Sequence, residues 1–399
     1  MNIKLGEKIL ITQGPTWEEA GWGPIQFPWA WLLSDGRIAA RIHVDKDSCN
    51  AYGDGHSGKF FVSEDGGLSW KDAPDSAAEE CGTLLPSGDR LYHFYSEPAL
   101  MYSENEKWPE PVCRYEHSYS TYPYGFHYKE EIKKAVPFYR RKKGESRIVK
   151  EYAELTGWDD FVLIGLTSDQ DFGIERTNKR WLSITRPFIY GRLRVAPDGS
   201  LWATHYNGAP LKSAAEEDKY VMPSHAFYLR SDDNGKSFRL ISSIEYKAPL
   251  VRGKVDERGF NENDIAFMPD GSIITLIRSS NGYDRYLSFA RSEDNGKSWS
   301  TPECFAHSFA WPTLCSLKCG VTLASYGRPG IYIVKTEDKS GLIWDEPIEI
   351  MNTSGCGYAE LIAVGDNEAM IFYTDFNYPD SAGIKRKSLF AQKITLTAT

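Results

Sequence analysis

The side chains of this chain that can act as acids, bases or cations collect at two offsets from a recurring turn. The turn is centred on Asp-Gly and lies between two apolar runs, as in "FPWAWLLSDGRIAARIH", "YGRLRVAPDGSLWATHY" and "ENDIAFMPDGSIITLIR". Weaker copies are "CGTLLPSGDRLYHFY", "WPTLCSLKCGVTLASYGR" and "YAELIAVGDNEAMIFYT". Eight residues before the Asp position stand Phe27, Glu79, Tyr190, Glu262, Trp311 and Tyr358. Seven after the Gly position stand His43, Tyr95, Tyr206, Arg278, Gly327 (with Arg328 next to it) and Thr374. Any one of these could simply fill a channel. As a set, Arg, Glu, His and Tyr at one register suit a sugar site. The guanidinium groups, which pair bidentately with carboxylates, point to an acidic sugar.

An Asp-Gly turn between apolar runs is a strong hairpin signal. A second repeat follows it: "SEDGGLSW" at 63–70, "SDDNGKSF" at 231–238, "SEDNGKSWS" at 292–300 and a frayed "TEDKSGLIW" at 336–344. Each copy reads as strand, tight turn, strand. Asp and Asn accept local backbone N–H groups, Gly supplies positive φ, and the aromatic closes the turn's apolar underside. Hairpin plus hairpin makes a four-stranded blade, and blades at this spacing make an all-β, six- or seven-bladed β-propeller occupying 1–399. The stretch 104–180 is long enough for a further blade. It reads instead as inserted or irregular and, at "EEIKKAVPFYRRKKGESRIVKEYAEL", as partly helical. The closing "SLFAQKITLTAT" is expected to pair with the N-terminal strand.

Composition narrows the functional classes. The formal charge of −9 argues against nonspecific nucleic-acid binding. No segment approaches the roughly 20 apolar residues that span a bilayer, so no membrane partner is expected. The opening "MNIKLGEKILITQ" reads as a strand rather than a signal peptide. Seven cysteines without a CxxC pair suggest reduced thiols in a cytoplasm, with Cys315 and Cys319 buried rather than metal-binding. No cofactor is implied, although loop carboxylates could hold a structural Ca²⁺. The Tyr-rich "HSYSTYPYGFHYKEE" at 117–131 reads as an aromatic surface loop, and the basic "YRRKKGE" at 139–145 as a solvated face. Self-association is not addressed by the sequence.

These residues resemble those of the sialidase (neuraminidase) superfamily, whose propellers carry such turns as Asp-boxes. The resemblance implies three arginines gripping a substrate carboxylate. A Glu sixteen residues before the second Arg is matched by Glu262 and Arg278; the third Arg, in "YGRPGIYIVKTED", is matched by Arg328. The nucleophilic Tyr in a Gly-Tyr context is matched by Tyr358 in "CGYAELIAVGD". The first Arg is not matched. The sequence there is "QFP", so Gln26 stands in its place and brings no charge. The acid/base Asp falls in "VDKDSCNAYGDGHSG", where Asp54 has the nearest spacing and Asp47 is the reserve.

Three readings stay open. In a glycosidase, Arg278 and Arg328 hold an acidic sugar, sialic-acid-like or uronic. Tyr358 attacks the anomeric carbon with Glu262 as its base, and Asp54 protonates the leaving oxygen. In a uronate lyase, arginine neutralises the carboxylate, and His43, Tyr190 or Tyr206 removes the acidified proton, with His205 nearby. In a lectin-like propeller the same residues bind an oligosaccharide without cleaving it. Trp311 offers a flat ring for sugar stacking in all three.

Overall fold

The computed structural model describes residues 1–45, 58–73, 81–93, 98–103, 105–110, 113–114, 124–126, 135–157, 163–167, 181–185, 189, 191–206, 224–247, 259–281 and 284–398. The predicted turns form as expected. In the third copy, Ser292 Oγ donates to Asp294 Oδ1 at 2.9 Å and accepts from the Gly296 N–H at 2.8 Å. The Ser298 N–H and Oγ donate to the two oxygens of the same carboxylate at 2.9 and 2.5 Å. Asp65 and Asp233 repeat this pattern with Ser63/Ser69 and Ser231/Ser237. Gly296 has φ 77°, and a Cβ there would come within 2.6 Å of the Trp202 ring, so both conformation and space require glycine.

The aromatic that ends each turn does more than close it. Trp70 meets Phe372 edge-on at 5.5 Å, Phe238 stacks on Phe138 at 5.3 Å, Trp299 lies 4.2 Å from Tyr228, and Trp344 meets Phe305 at 5.4 Å. In every case the partner belongs to the preceding four-stranded unit. The repeat therefore joins neighbouring units as well as folding its own hairpin.

Those units are sheets with simple up-and-down order. One holds Gln26–Leu32, Ile38–His43, Gly58–Ser63 and Lys71–Ala73; a second holds Gly259–Phe267, Ile273–Ser280, Arg285–Ser292 and Glu303–Ala306. A third holds Thr313–Ser316, Thr322–Gly327, Ile331–Thr336 and Ile348–Met351. A fourth is Ala359–Ala363, Glu368–Pro379 and Lys385–Thr397, completed by the antiparallel strand Asn2–Gln13 from the other end of the chain. An eight-stranded sheet consists of two four-stranded halves. One runs Thr83–Leu84, Arg90–His93, Ala135–Arg141, Ile148–Thr156, and the other Leu193–Val195, Leu201–Tyr206, Ala226–Ser231, Ser237–Ile244. A short parallel pairing, Glu154 to Ser237 through Thr156 to Arg239, joins them. The fold is a β-propeller.

The apolar core lies in slabs between neighbouring sheets. Leu276, Leu287, Leu314, Ala324 and Val334 fill one gap, and Leu323, Ile333, Leu361, Ile371 and Ile394 the next. Burying each such aliphatic side chain contributes about 1.5–3 kcal/mol.

The helical reading within 104–180 is corrected. Ala135–Arg141 and Ile148–Thr156 are antiparallel strands. The basic run covers the end of the first strand, where Arg140 is buried, and the turn that follows, with Gly144 at φ 78°. Exposed and buried residues alternate along the second half of Ile148–Thr156, as a strand requires, whereas the density of Lys, Arg and Glu across the hairpin imitates a solvated helix. The remaining described strands of this stretch, Cys113–Arg114, Tyr124–Phe126 and Leu163–Thr167, make a separate five-stranded sheet with Pro98–Ser103 and Trp181–Thr185. Among the described residues the one α-helix is Trp17–Ala20, a single turn capped by Thr16. No helix among them is long and apolar enough to cross a membrane.

Candidate functional site

Tyr358, Glu262 and Arg278 come from two sheets and meet. Tyr358 immediately precedes Ala359–Ala363, and the other two stand on the neighbouring strands Gly259–Phe267 and Ile273–Ser280. Tyr358 Oη donates to Glu262 Oε1 at 2.5 Å and accepts from Arg278 Nη1 at 2.9 Å. The same Nη1 donates to Glu262 Oε2 at 2.6 Å. Glu262 and Arg278 are buried, while Tyr358 is half-buried. The Arg278 guanidinium also lies 3.9 Å from the centre of the Phe309 ring. A phenol so placed has a carboxylate to take its proton and a cation to hold the oxygen anion that results.

Arg328 completes the group. Its Nε and Nη2 donate to the Cys356 carbonyl at 3.1 and 2.8 Å, and its guanidinium carbon is 5.3 Å from the Tyr358 ring and 4.9 Å from the Trp22 ring. The backbones carrying Arg328 and Tyr358 touch. A Cβ on Gly357, at φ 76°, would lie 2.6 Å from the Arg328 Cβ, and one on Gly327 would lie 2.3 Å from the Gly357 carbonyl. The Gly-Tyr and Gly-Arg pairs in the sequence are thus a steric requirement.

Backbone strain gathers at this rim. Ile25, Phe27 and Arg328 have φ of 54°, 55° and 61°, costing about 1–3 kcal/mol each. Such strain clusters at functional sites, and Phe27 meets the Tyr358 ring edge-on at 4.9 Å.

The other expected site residues are distributed differently. His43 is 3% exposed, its Cα opposite that of Gln26, with its ring 5.9 Å from Phe27. His205 is equally buried, 5.7 Å from Phe227, and Tyr206 is 6% exposed, 5.9 Å from Trp311. Trp311 donates from Nε1 to the Asn263 carbonyl at 3.2 Å, and the Arg192 guanidinium lies 5.2 Å from its ring centre. Asp54, its reserve Asp47, and Tyr190 lie outside the described residues.

A buried ionic network went unrecognised in the sequence. Arg192 donates to Glu360 and, at 3.0 Å, to Thr313 Oγ1; Arg194 is bidentate to Asp264 at 2.9 and 2.5 Å. Trp29 stacks against Arg192 at 4.9 Å. Burial pushes the Glu360 carboxyl upward against the pull of Arg192 and Arg194. All of these except Arg194 stand six residues before the turn's Asp position, two further along the register that carries Tyr358. Among the described residues no cluster of His, Cys, Asp and Glu is arranged to hold a metal.

No family description and no curated protein sequence matches the chain. Solved structures do. A protein of unknown function from Dyadobacter fermentans superposes with a TM-score of 0.57 at 15% identity, over 98% of this chain and 99% of that one. The Hadza microbial sialidase Hz136 gives 0.50 at 14% identity, over 98% of this chain and 68% of the other. An α-L-arabinanase from Penicillium chrysogenum gives 0.47 at 10% identity, over 97% and 98%. The shared architecture of the first two pairs is that of the whole chain: its fold is a sialidase-like β-propeller.

Proposed function

We propose that the chain is a glycoside hydrolase of sialidase type, acting on the glycoside of an acidic sugar, sialic-acid-like or uronic. The sheets described above then act as blades of one propeller spanning 1–399. Tyr358 attacks the anomeric carbon, its proton passes to Glu262, and the C–O bond to the leaving group breaks. Asp54 supplies the proton to the departing oxygen, and water then releases the sugar from Tyr358. Arg278 stabilises the phenolate through its 2.9 Å hydrogen bond, and Arg328 faces the substrate carboxylate. A phenol suits such a substrate because an attacking carboxylate would be repelled by the sugar's own.

The observation supporting this reading is the triple contact of Tyr358, Glu262 and Arg278. The uronate-lyase reading is the weaker one, because the carboxylate of Glu262 and the guanidinium of Arg278 converge on Tyr358, the residue that a hydrolase would use as nucleophile. Among the described residues Cys304, Cys315, Cys319 and Cys356 are free thiols, which fits a reducing compartment such as the cytoplasm. The test is a panel of fluorogenic N-acetylneuraminide, glucuronide and arabinofuranoside substrates, with Tyr358→Phe as the control. Release from an acidic glycoside that disappears in the variant supports the reading. Unsaturated uronate products, or turnover of neutral glycosides alone, would overturn it.

A further inference from the structure

The rim position occupied by Gln26 has a positive charge behind it. Gln26 is fully buried, and its Oε1 accepts from the Gly23 N–H and, at 3.2 Å, from Lys387 Nζ. Lys387 is itself fully buried; its Nζ also donates to the Gly21 carbonyl at 2.6 Å and lies 5.2 and 4.7 Å from the ring centres of Trp17 and Phe376. No carboxylate pairs with this ammonium among the described residues, although a buried cation ordinarily requires one. The Gln26 Nε2 is buried and has no hydrogen-bond partner among the described residues. Leaving a buried donor unmade costs about 1–3 kcal/mol. The turn that Lys387 ties down carries Trp22 and Phe27, the rings that touch Arg328 and Tyr358.

We infer that Lys387 is a positioning residue of the acidic-sugar site: it fixes Gln26 so that Nε2 is the donor offered to the substrate carboxylate. The inference rests on the acidic-sugar reading above. Holding Oε1 with two donors sets the orientation of the amide. The ammonium polarises it, which strengthens the N–H bonds on the other side. The charge that an arginine would carry at its own tip stands here one hydrogen bond behind an amide.

The test is calorimetric titration of the full chain with N-acetylneuraminic acid and its methyl ester, and in parallel with glucuronic acid and its methyl ester. The proteins are wild type, Lys387→Met, Gln26→Leu and the double variant. Wild type should prefer an acid to its ester. Lys387→Met should weaken the acid about tenfold, the effect of losing one charge-assisted contact, and leave the ester within about twofold. The double variant should be no worse than Gln26→Leu, since the lysine acts through the amide. Equal weakening of acid and ester, or losses that multiply in the double variant, overturns the inference and leaves the acidic-sugar reading intact. A wild type that binds acid and ester alike, or neither, overturns both. Should Lys387→Met not fold, Gln26→Leu alone reads the same selective loss.

Discussion

Tyr358 and Glu262 are 96 residues apart in sequence and stand on different sheets, yet the phenol donates to the carboxylate at 2.5 Å. The hairpin turns set a common frame, so equal offsets in sequence become neighbours in space. Removing the hydroxyl by Tyr358→Phe should leave the fold intact and abolish glycoside cleavage, while Glu262→Gln should lower kcat by about 10²–10⁴-fold. Steady-state kinetics on the best acidic glycoside checks both. Unchanged kcat in either variant would show that the contact is structural.

Glu262 also neutralises the buried Arg278. Glu262→Ala should therefore destabilise the chain by about 3–5 kcal/mol, because it strands a buried cation, whereas Glu262→Gln should cost less. Urea unfolding of the two variants separates the electrostatic role from the chemical one.

The fold was legible because its two signals are local: an Asp-Gly between apolar runs, and a Ser-x-Asp-x-Gly turn with an aromatic behind it. The reach of that aromatic into the preceding unit was not, since nothing in "GKSWS" says that Trp299 will rest on Tyr228. Tyr358, Glu262 and Arg278 stand out in the sequence because each keeps a fixed offset from a turn, and Arg328 because it follows such a position. Lys387 could not: it stands in the closing strand, which carries no such turn and reads simply as an edge to be paired. The hairpin Ala135–Thr156 was misread because its density of Lys, Arg and Glu also satisfies a polar helix.

Trp299 makes a direct test of the inter-unit contacts. It is half-buried, lies 4.2 Å from Tyr228 and donates to Ser242 Oγ at 2.9 Å. Trp299→Ala should destabilise by about 2–4 kcal/mol, toward the lower end for a partly exposed aromatic. Trp299→Phe should recover most of that loss. A thermal melt in which both variants match wild type would show that the contact contributes nothing.

Acid should loosen the same turns. Hydrogen bonds from Ser298 and, in the fourth copy, Ser340 hold Asp294 and Asp338 down at about 2, from an ordinary 3.8. A carboxyl whose folded value lies below its unfolded one stabilises above about pH 4 and loses that contribution as pH falls toward 2. Asp294→Asn should therefore be less stable than wild type at neutral pH and close to it at pH 2. A difference that stays constant across the window would refute the assignment.

Lys387 gives a slope of the same sign at the alkaline end. Burial lowers it to about 8 from an ordinary 10.5, outweighing the opposing effect of Cys356. Between those values the unfolded chain holds the proton more tightly than the folded chain does, so this residue's contribution to stability rises with pH from about 8 to 10.5. Below pH 8 the ammonium is charged in both states and its burial cost is carried in full. The stability of wild type relative to Lys387→Met should then rise across that interval, because methionine has nothing to titrate. Chemical unfolding of the pair at pH 7, 9 and 10.5 measures the change directly. A flat difference would mean that the ammonium is as well solvated in the folded chain as in water, which would refute the burial of Lys387 behind Gln26.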